Sequence, residues 1–347
     1  MESKEPTAIT RREWIKMSAV SAVGLVACVT GTRGRTDDEA TLTTNGGEMV
    51  DYDVVVIGGG PSGHAAALML GRGNRRVLLV DAGAPRNAAA SHINGFVTRD
   101  GVSPNEFRRV AREQLAKYAV TFQERWAHEV RGESGNFEVV FGDGVITTRR
   151  VIVCVGMVDE LPDLPGFRGL WGAGIFQCPY CHGWELKDAP WGFWASSPEM
   201  ATHALLATGW TKDVVVFTDG RYALPAEASV LFAQRGIRVE TRRLKGFVSR
   251  EEGGASTLAA VELEDGERIA CVGLMARPPQ RQTKLVAEMG LATDEMGLVV
   301  VDSMGKTSRA GVFAAGDLCT LIQSALGAAA AGQRAAAMLN NELLMNG

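Results

Sequence analysis

Residues 53–81 constrain the fold of this 347-residue chain more than any other stretch. Asp53-Val-Val-Val-Ile57 is a continuous apolar run, the mark of a strand buried on both faces of a parallel sheet. It enters the turn Gly58-Gly-Gly60-Pro61-Ser62-Gly63, continues into a helix-like stretch over residues 64–70, and closes on Arg76-Val-Leu-Leu-Val80-Asp81. Gly58 permits the tight turn, Gly60 lets the backbone approach a pyrophosphate, and Gly63 lets helix and strand pack closely. Pro61 and Ser62 open the helix, whose free N–H groups and dipole favour phosphate. Asp81 is placed to accept hydrogen bonds from an adenosine ribose. With both strands and the acid present, the unit predicts a dinucleotide site. It does not by itself separate FAD from NAD.

Cys178-Pro-Tyr-Cys181-His182 is the second informative feature. Two thiols separated by two residues can close a small disulfide ring, and the first is acidified by its neighbours. Zinc could be held by this pair with His182 and His203, but no second cysteine pair follows at zinc-finger spacing. A redox role is therefore favoured over zinc and over a purely structural disulfide. The remaining cysteines, at 28, 154, 271 and 319, form no disulfide framework. Cys154 and Cys271 sit in apolar runs and read as buried, inert thiols. A net charge of −4 leaves no basic excess to neutralise phosphates, which argues against a nucleic-acid partner. Length and a hydrophobic content of 46% allow two domains with large cores.

The first 30 residues read as an address. Thr10-Arg11-Arg12-Glu13-Trp14-Ile15-Lys16 precedes an apolar run over residues 17–30 that is short for a bilayer span. The paired arginines resemble a twin-arginine signal, which exports folded proteins to the periplasm or beyond. Leu25-Val26-Ala27-Cys28 resembles a lipoprotein processing box, which would leave Cys28 lipidated and the chain tethered to a membrane. Translation from Met49 would instead leave the protein cytoplasmic. Residues 31–50 are mostly Gly, Thr and Asp with no hydrophobic period, and read as a linker.

Gly311-Val-Phe-Ala-Ala-Gly316-Asp317 resembles the second FAD fingerprint of flavoproteins with two dinucleotide folds, whose aspartate bonds the ribityl chain. Gln323 and an alanine-rich helix-like run over 325–338 follow; the resemblance implies that this helix aims its N-terminus at the flavin pyrimidine. Val151-Ile-Val-Cys-Val-Gly156, followed by Leu161-Pro-Asp-Leu-Pro-Gly166, is similar to the strand and exit linker by which such proteins leave the FAD domain. With GGGPSG, CPYCHG and GVFAAGD in that order, residues 51–347 resemble the low-molecular-weight thioredoxin reductases and their relatives. The resemblance implies an α/β fold of two Rossmann-like domains of the three-layer ββα type, the second inserted in the first. The FAD domain is expected over 51–163 and 275–347, and the NAD(P)-type domain with the CxxC over 164–274. It further implies that Cys181 lies nearest the flavin, that Cys178 exchanges with a partner thiol, and that the protein is a homodimer.

Two departures from the family's pattern shape the functional expectation. Thioredoxin reductases proper carry an acid after the second cysteine as proton donor. Here His182 stands, as in dithiol oxidases that close disulfides in compounds such as gliotoxin and holomycin, and histidine can take a proton near neutrality. His92, Asn94 and Phe96 match a loop beside the flavin in related oxidases, but Asn94-Gly95 replaces the usual His-Gly. The second departure concerns the nicotinamide site. Pro190-Trp-Gly-Phe-Trp194, residues 195–200, a helical stretch over 201–208 and Asp213-Val-Val-Val-Phe217 repeat the first unit. Ala195, Ser197 and Met200 fall at its three glycine positions, where side chains block approach of a pyrophosphate and push the helix away. No paired arginines follow to hold a 2′-phosphate, although Asp219 could bond an NAD ribose. Trp191 and Trp194 read as core.

The expectation is an FAD-dependent thiol–disulfide oxidoreductase running toward dithiol oxidation, on a small-molecule or protein dithiol, with oxygen or another acceptor. An NAD(P)H-dependent disulfide reductase and a non-catalytic flavin-binding module are the alternatives.

Overall fold

A computed structural model describes residues 50–346. The stretch read as an export signal, Cys28, Met49 and nearly all of the expected linker lie outside the described residues.

The first sheet grows from β1 (Tyr52–Ile57), which is parallel to β2 (Val77–Asp81) with Val54 opposite Val77. Helix α1 (Pro61–Arg72) makes the crossover, and α2 (Pro104–Leu115) leads to β3 (Val120–Glu124) beside β2. A meander of β4 (Ala127–Glu133), β5 (Asn136–Phe141) and β6 (Gly144–Val153) follows, and β6 returns to pair with β1, Val151 opposite Val55. The strand order is β3-β2-β1-β6-β5-β4. Successive residues of β1 serve opposite faces, as the pleat requires. Val54 and Val56 pack on Ala66, Ala67 and Leu70 of α1, whereas Val55 and Ile57 pack toward Val130, Phe137 and Val139 of the meander. This two-sided burial explains the unbroken apolar run and gives three layers.

Beyond β7 (Val158–Asp159) the chain builds a second sheet. Its strands are β8 (Ile175–Phe176), β9 (Trp191–Trp194), β10 (Val214–Phe217) and β11 (Arg238–Glu240), all parallel, with the one-turn helix α3 (Pro179–His182) after β8. An antiparallel sheet of β12 (Leu244–Glu252), β13 (Ala255–Leu263) and β14 (Arg268–Ala270) covers one face. Then β15 (Gly273–Ala276) enters between β9 and β8, so this sheet runs across the expected point of return at 274 and 275. Trp191 and Trp194 are core residues, 1% and 9% exposed.

The helical stretch expected over 201–208 is a 3-10 helix, Thr202–Gly209, entered from the short helix Pro198–Ala201. Ala201, Ala204 and Ala207 are fully buried. A buried residue at every third position fits three residues per turn, not 3.6.

The chain returns through β16 (Gln280–Arg281), which pairs antiparallel with β7, Gln280 opposite Asp159. Strand β17 (Val312–Ala314) then adds to β6, and α4 (Ala325–Asn346) packs along α1.

Candidate active site

The first glycine turn is shaped by its neighbours. Gly58 has φ +108°, and a Cβ there would stand 2.4 Å from the Cys154 carbonyl oxygen. A Cβ at Gly63 would stand 1.7 Å from the Gly58 oxygen, so glycine is what lets α1 meet β1. Gly60 has nothing within 4 Å of its Cβ direction. Its bare backbone therefore faces open space at the start of α1, as a pyrophosphate requires. Asp81 ends β2; its Oδ2 makes no hydrogen bond but lies 3.9 Å from Arg108 Nη1 and 4.0 Å from Arg112 Nη2 on α2. An open backbone, a helix start and an acid at the end of the second strand fit the phosphates and ribose of a dinucleotide.

Most of the residues singled out in the sequence converge on one cleft of about 280 Å³. Gly58, Gly60, Pro61, Ser62 and Asp81 line it from the first unit, and Gly156 from the end of β6. Cys178, Cys181 and His182 come from α3, and Asp317 and Gln323 from the segment before α4. Gly63 and Gly316 pack behind the wall; a Cβ at Gly316 (φ +101°) would stand 2.8 Å from Ser62 Oγ.

Cys178 caps α3 and is joined to Cys181 by a disulfide with the Cα atoms 5.3 Å apart. The His182 ring stacks on Phe176, centroids 5.1 Å apart and planes 11° from parallel. Burial pushes its pKa below the ordinary imidazole value, against the opposing pull of the Cys178 backbone and Glu185. His182 Nδ1 is buried and unpartnered. A neutral imidazole can accept a proton from a thiol, and His182 follows directly on Cys181 and lines the same cleft. Among the described residues the other cysteines are unlike this pair: burial raises Cys154, Cys271 and Cys319 to about 12. They are inert as nucleophiles near neutral pH.

Two residues acquire roles that sequence reasoning did not assign. Asn94 Nδ2 donates to the Cys181 carbonyl at 2.9 Å and to Glu185 Oε1 at 3.1 Å, tying the 92–96 loop to the disulfide turn. Arg86 was missed altogether. Its guanidinium donates to both oxygens of Asp159 (2.7 and 2.8 Å), to Asp317 (2.9 Å), to Gln323 (2.6 Å) and to Gln177 (3.0 Å). Burial opposes its charge, but Asp159 and Asp317 outweigh that and hold it protonated. Burial likewise raises Asp317, with Arg86 pulling it back. The signal available was Pro85-Arg86-Asn87, a cation in an otherwise small-residue loop just past the ribose acid.

The second turn is filled by its own side chains. Ala195 is fully buried, Ser197 Oγ accepts from the Met200 N–H at 3.3 Å, and the Ser196 hydroxyl donates to Met200 Sδ at 3.3 Å. Asp219, left open as a ribose acceptor, is engaged on both oxygens. Oδ1 accepts from the Leu244 N–H at 2.8 Å and Oδ2 pairs with Arg221 Nε at 2.9 Å. The Arg221 guanidinium in turn lies over the Trp194 ring, 5.2 Å from its centroid.

Comparison with known proteins agrees with this architecture. Residues 52–332 match the pyridine nucleotide-disulphide oxidoreductase family. Thioredoxin reductase tcpT of Claviceps purpurea is 31% identical over 305 residues, covering 84% of this chain and 94% of the relative. The crystal structure of the oxidoreductase from Agrobacterium tumefaciens is 37% identical with a TM-score of 0.78, over 85% of this chain and 99% of that one. HlmI, also known from a crystal structure, is 36% identical with a TM-score of 0.78, over 84% and 92%. The chain belongs to the pyridine nucleotide-disulphide oxidoreductases, in their thioredoxin reductase-like group, with the two-domain Rossmann fold of that group. It is an oxidoreductase acting on disulfides, and membership implies FAD as the cofactor.

Proposed function

We propose that this protein oxidises dithiols, using the Cys178–Cys181 disulfide to collect an electron pair and FAD to pass it to oxygen or another acceptor, without NAD(P)H. The observation that carries the reading is the contrast between two acids. Asp81 lines the cleft beside an open glycine turn, whereas Asp219 is 4% exposed and its two oxygens hold the Leu244 N–H and the Arg221 guanidinium. Freeing Asp219 for a ribose would strand a buried backbone N–H and uncouple an ion pair, at a cost of about 1–3 kcal/mol for the unmet hydrogen bond alone.

Gly58, Gly60, Ser62, Asp81 and Asp317 would hold FAD, which supplies a two-electron acceptor that oxidant can regenerate. The protein's own chemistry is thiol exchange. A substrate thiolate attacks Cys178 Sγ, the Cys178–Cys181 bond breaks, and Cys181 leaves as thiolate. The second substrate thiol attacks the mixed disulfide and releases Cys178, so the product is a disulfide and the enzyme holds a dithiol. His182 accepts the proton that a substrate thiol gives up. Export by the twin-arginine leader suits this direction, because reduced nicotinamide is scarce outside the cytoplasm.

Anaerobic titration of the yellow protein with dithiothreitol and, separately, with NADPH tests the reading. Bleaching by dithiothreitol alone is expected. Bleaching by NADPH without added thiol would establish a disulfide reductase instead.

A further inference from the structure

Asn94 makes a forked contact with the disulfide turn. Its Nδ2 donates to the Cys181 carbonyl at 2.9 Å and to Glu185 Oε1 at 3.1 Å. The first bond joins loop to turn. The second does something different, because it holds a solvent-exposed carboxylate in one place beside the disulfide. Pinning a side chain as mobile as glutamate costs rotamer entropy, and a contact at the surface returns little stability for it. What the fixed charge faces gives the contact its meaning.

His182 stands three residues before Glu185. Gly183 keeps a right-handed helical backbone (φ −72°, ψ −29°), and its N–H donates to the Pro179 carbonyl at 2.7 Å, so the turn continues past His182. Positions three apart on such a turn are neighbours. Burial favours the neutral His182 ring, while the Cys178 backbone and the Glu185 charge favour its protonated form. The other charged or titratable side chains of the cleft, the disulfide aside, have partners elsewhere. Arg86 bonds Asp159 and Asp317, Asp81 lies near Arg108 and Arg112 of α2, and His92 Nδ1 meets Ser91 Oγ at 2.9 Å. Lys187, just past Glu185, lies over the Trp184 ring at 3.9 Å. Phe176, stacked on the imidazole from β8, carries no charge. Glu185 is thus the carboxylate placed to answer a positive charge on His182.

We propose that Glu185 is a positioning residue of the thiol chemistry: clamped by Asn94, its carboxylate stabilises the imidazolium that forms when His182 takes a proton from the attacking thiol. The inference rests on the reading of His182 as proton acceptor for a substrate dithiol. In that step the S–H bond breaks, the proton passes to a ring nitrogen of His182, and the sulfur keeps the electron pair with which it attacks Cys178 Sγ. Glu185 gains and loses no bond. A buried imidazolium without a counter-charge is costly, so a fixed anion eases the transfer. Because Glu185 is exposed, salt screens its field and the effect is small, about half a pH unit.

The test follows the titration of His182 by NMR of the full-length flavoprotein labelled at its five histidines, the signal being identified by its loss in His182→Ala. Glu185→Gln keeps an oxygen for Asn94 and removes only the charge. Its His182 midpoint should move to lower pH by about half a pH unit at low salt, and the acidic limb of thiol-dependent flavin bleaching should move with it. Glu185→Asp restores the charge and should recover part of the displacement. Salt at about 1 M should bring the unsubstituted protein toward the glutamine variant and leave that variant in place. An unmoved His182 midpoint in Glu185→Gln would overturn the inference. So would slower bleaching with an unmoved limb, which would mark the contact as merely structural. Failure of dithiols to bleach the unsubstituted protein would instead sink the dithiol reading, and the histidine titration would still decide whether the two side chains are coupled.

Discussion

Residues 58–63 follow β1 and residues 195–200 follow β9, each a strand with parallel neighbours on both sides, yet one turn offers bare backbone to a cleft and the other carries side chains that bond within the turn. The difference extends to the acids that follow. Asp81 lines the cleft, and Asp219 is 4% exposed with a partner on each oxygen. The second lobe thus keeps the sheet and topology of a nucleotide platform while side chains stand where the first turn has glycines. Function here is decided by what the turn leaves open, and the strand order alone does not reveal that. What the second lobe does present is the disulfide turn.

The sharpest challenge to this division removes that turn. Cys178→Ser should lower thiol-dependent flavin bleaching on the order of 10³-fold or more, read by stopped-flow absorbance. A smaller loss would mean that electrons enter elsewhere. His182→Ala should cost on the order of 10²-fold in the same assay. In the unsubstituted protein the rate should fall as pH drops through the His182 pKa, which burial places below the ordinary imidazole value, and the variant should lose that limb. The two turns can be set against each other directly. Gly63→Ala drives a Cβ into the Gly58 oxygen and should cost about 1–3 kcal/mol with loss of bound flavin, checked by thermal melting and flavin content. The paired Ser197→Gly, Met200→Gly change should leave flavin content unaltered and still give no NADPH bleaching, because Asp219 remains engaged. NADPH bleaching in that variant would break the comparison. The mildest expected change is Asn94→Ala, which removes two hydrogen bonds to the disulfide turn and should slow thiol-dependent bleaching severalfold, consistent with about 1 kcal/mol per bond.

Much of this was legible in the sequence because it is local. The glycine spacing 58–60–63, the apolar strands and the CxxC each write their geometry within a few residues, and the structure gathers them in one cleft. The 3-10 helix was legible in principle, since its buried alanines fall three apart, but the eye trained on a longer period reads an α-helix. What escaped depends on distant partners. Arg86 meets groups up to 237 residues away, and Asn94 reaches Cys181 across 87. Asp219 was left open because nothing near it in the chain foretells that the Leu244 N–H, 25 residues on, would claim it.

The short ribbon of β7 and β16 carries a mechanical implication. Both passages of the chain between the lobes are laced together at one place, so they behave as a single axle. Asp159 on one lace grips Arg86, and Gln280 on the other donates to Asp159 at 3.0 Å and to Gln323 at 3.2 Å. Any torsion of the lobes about that axle would therefore pull first on the floor of the cleft.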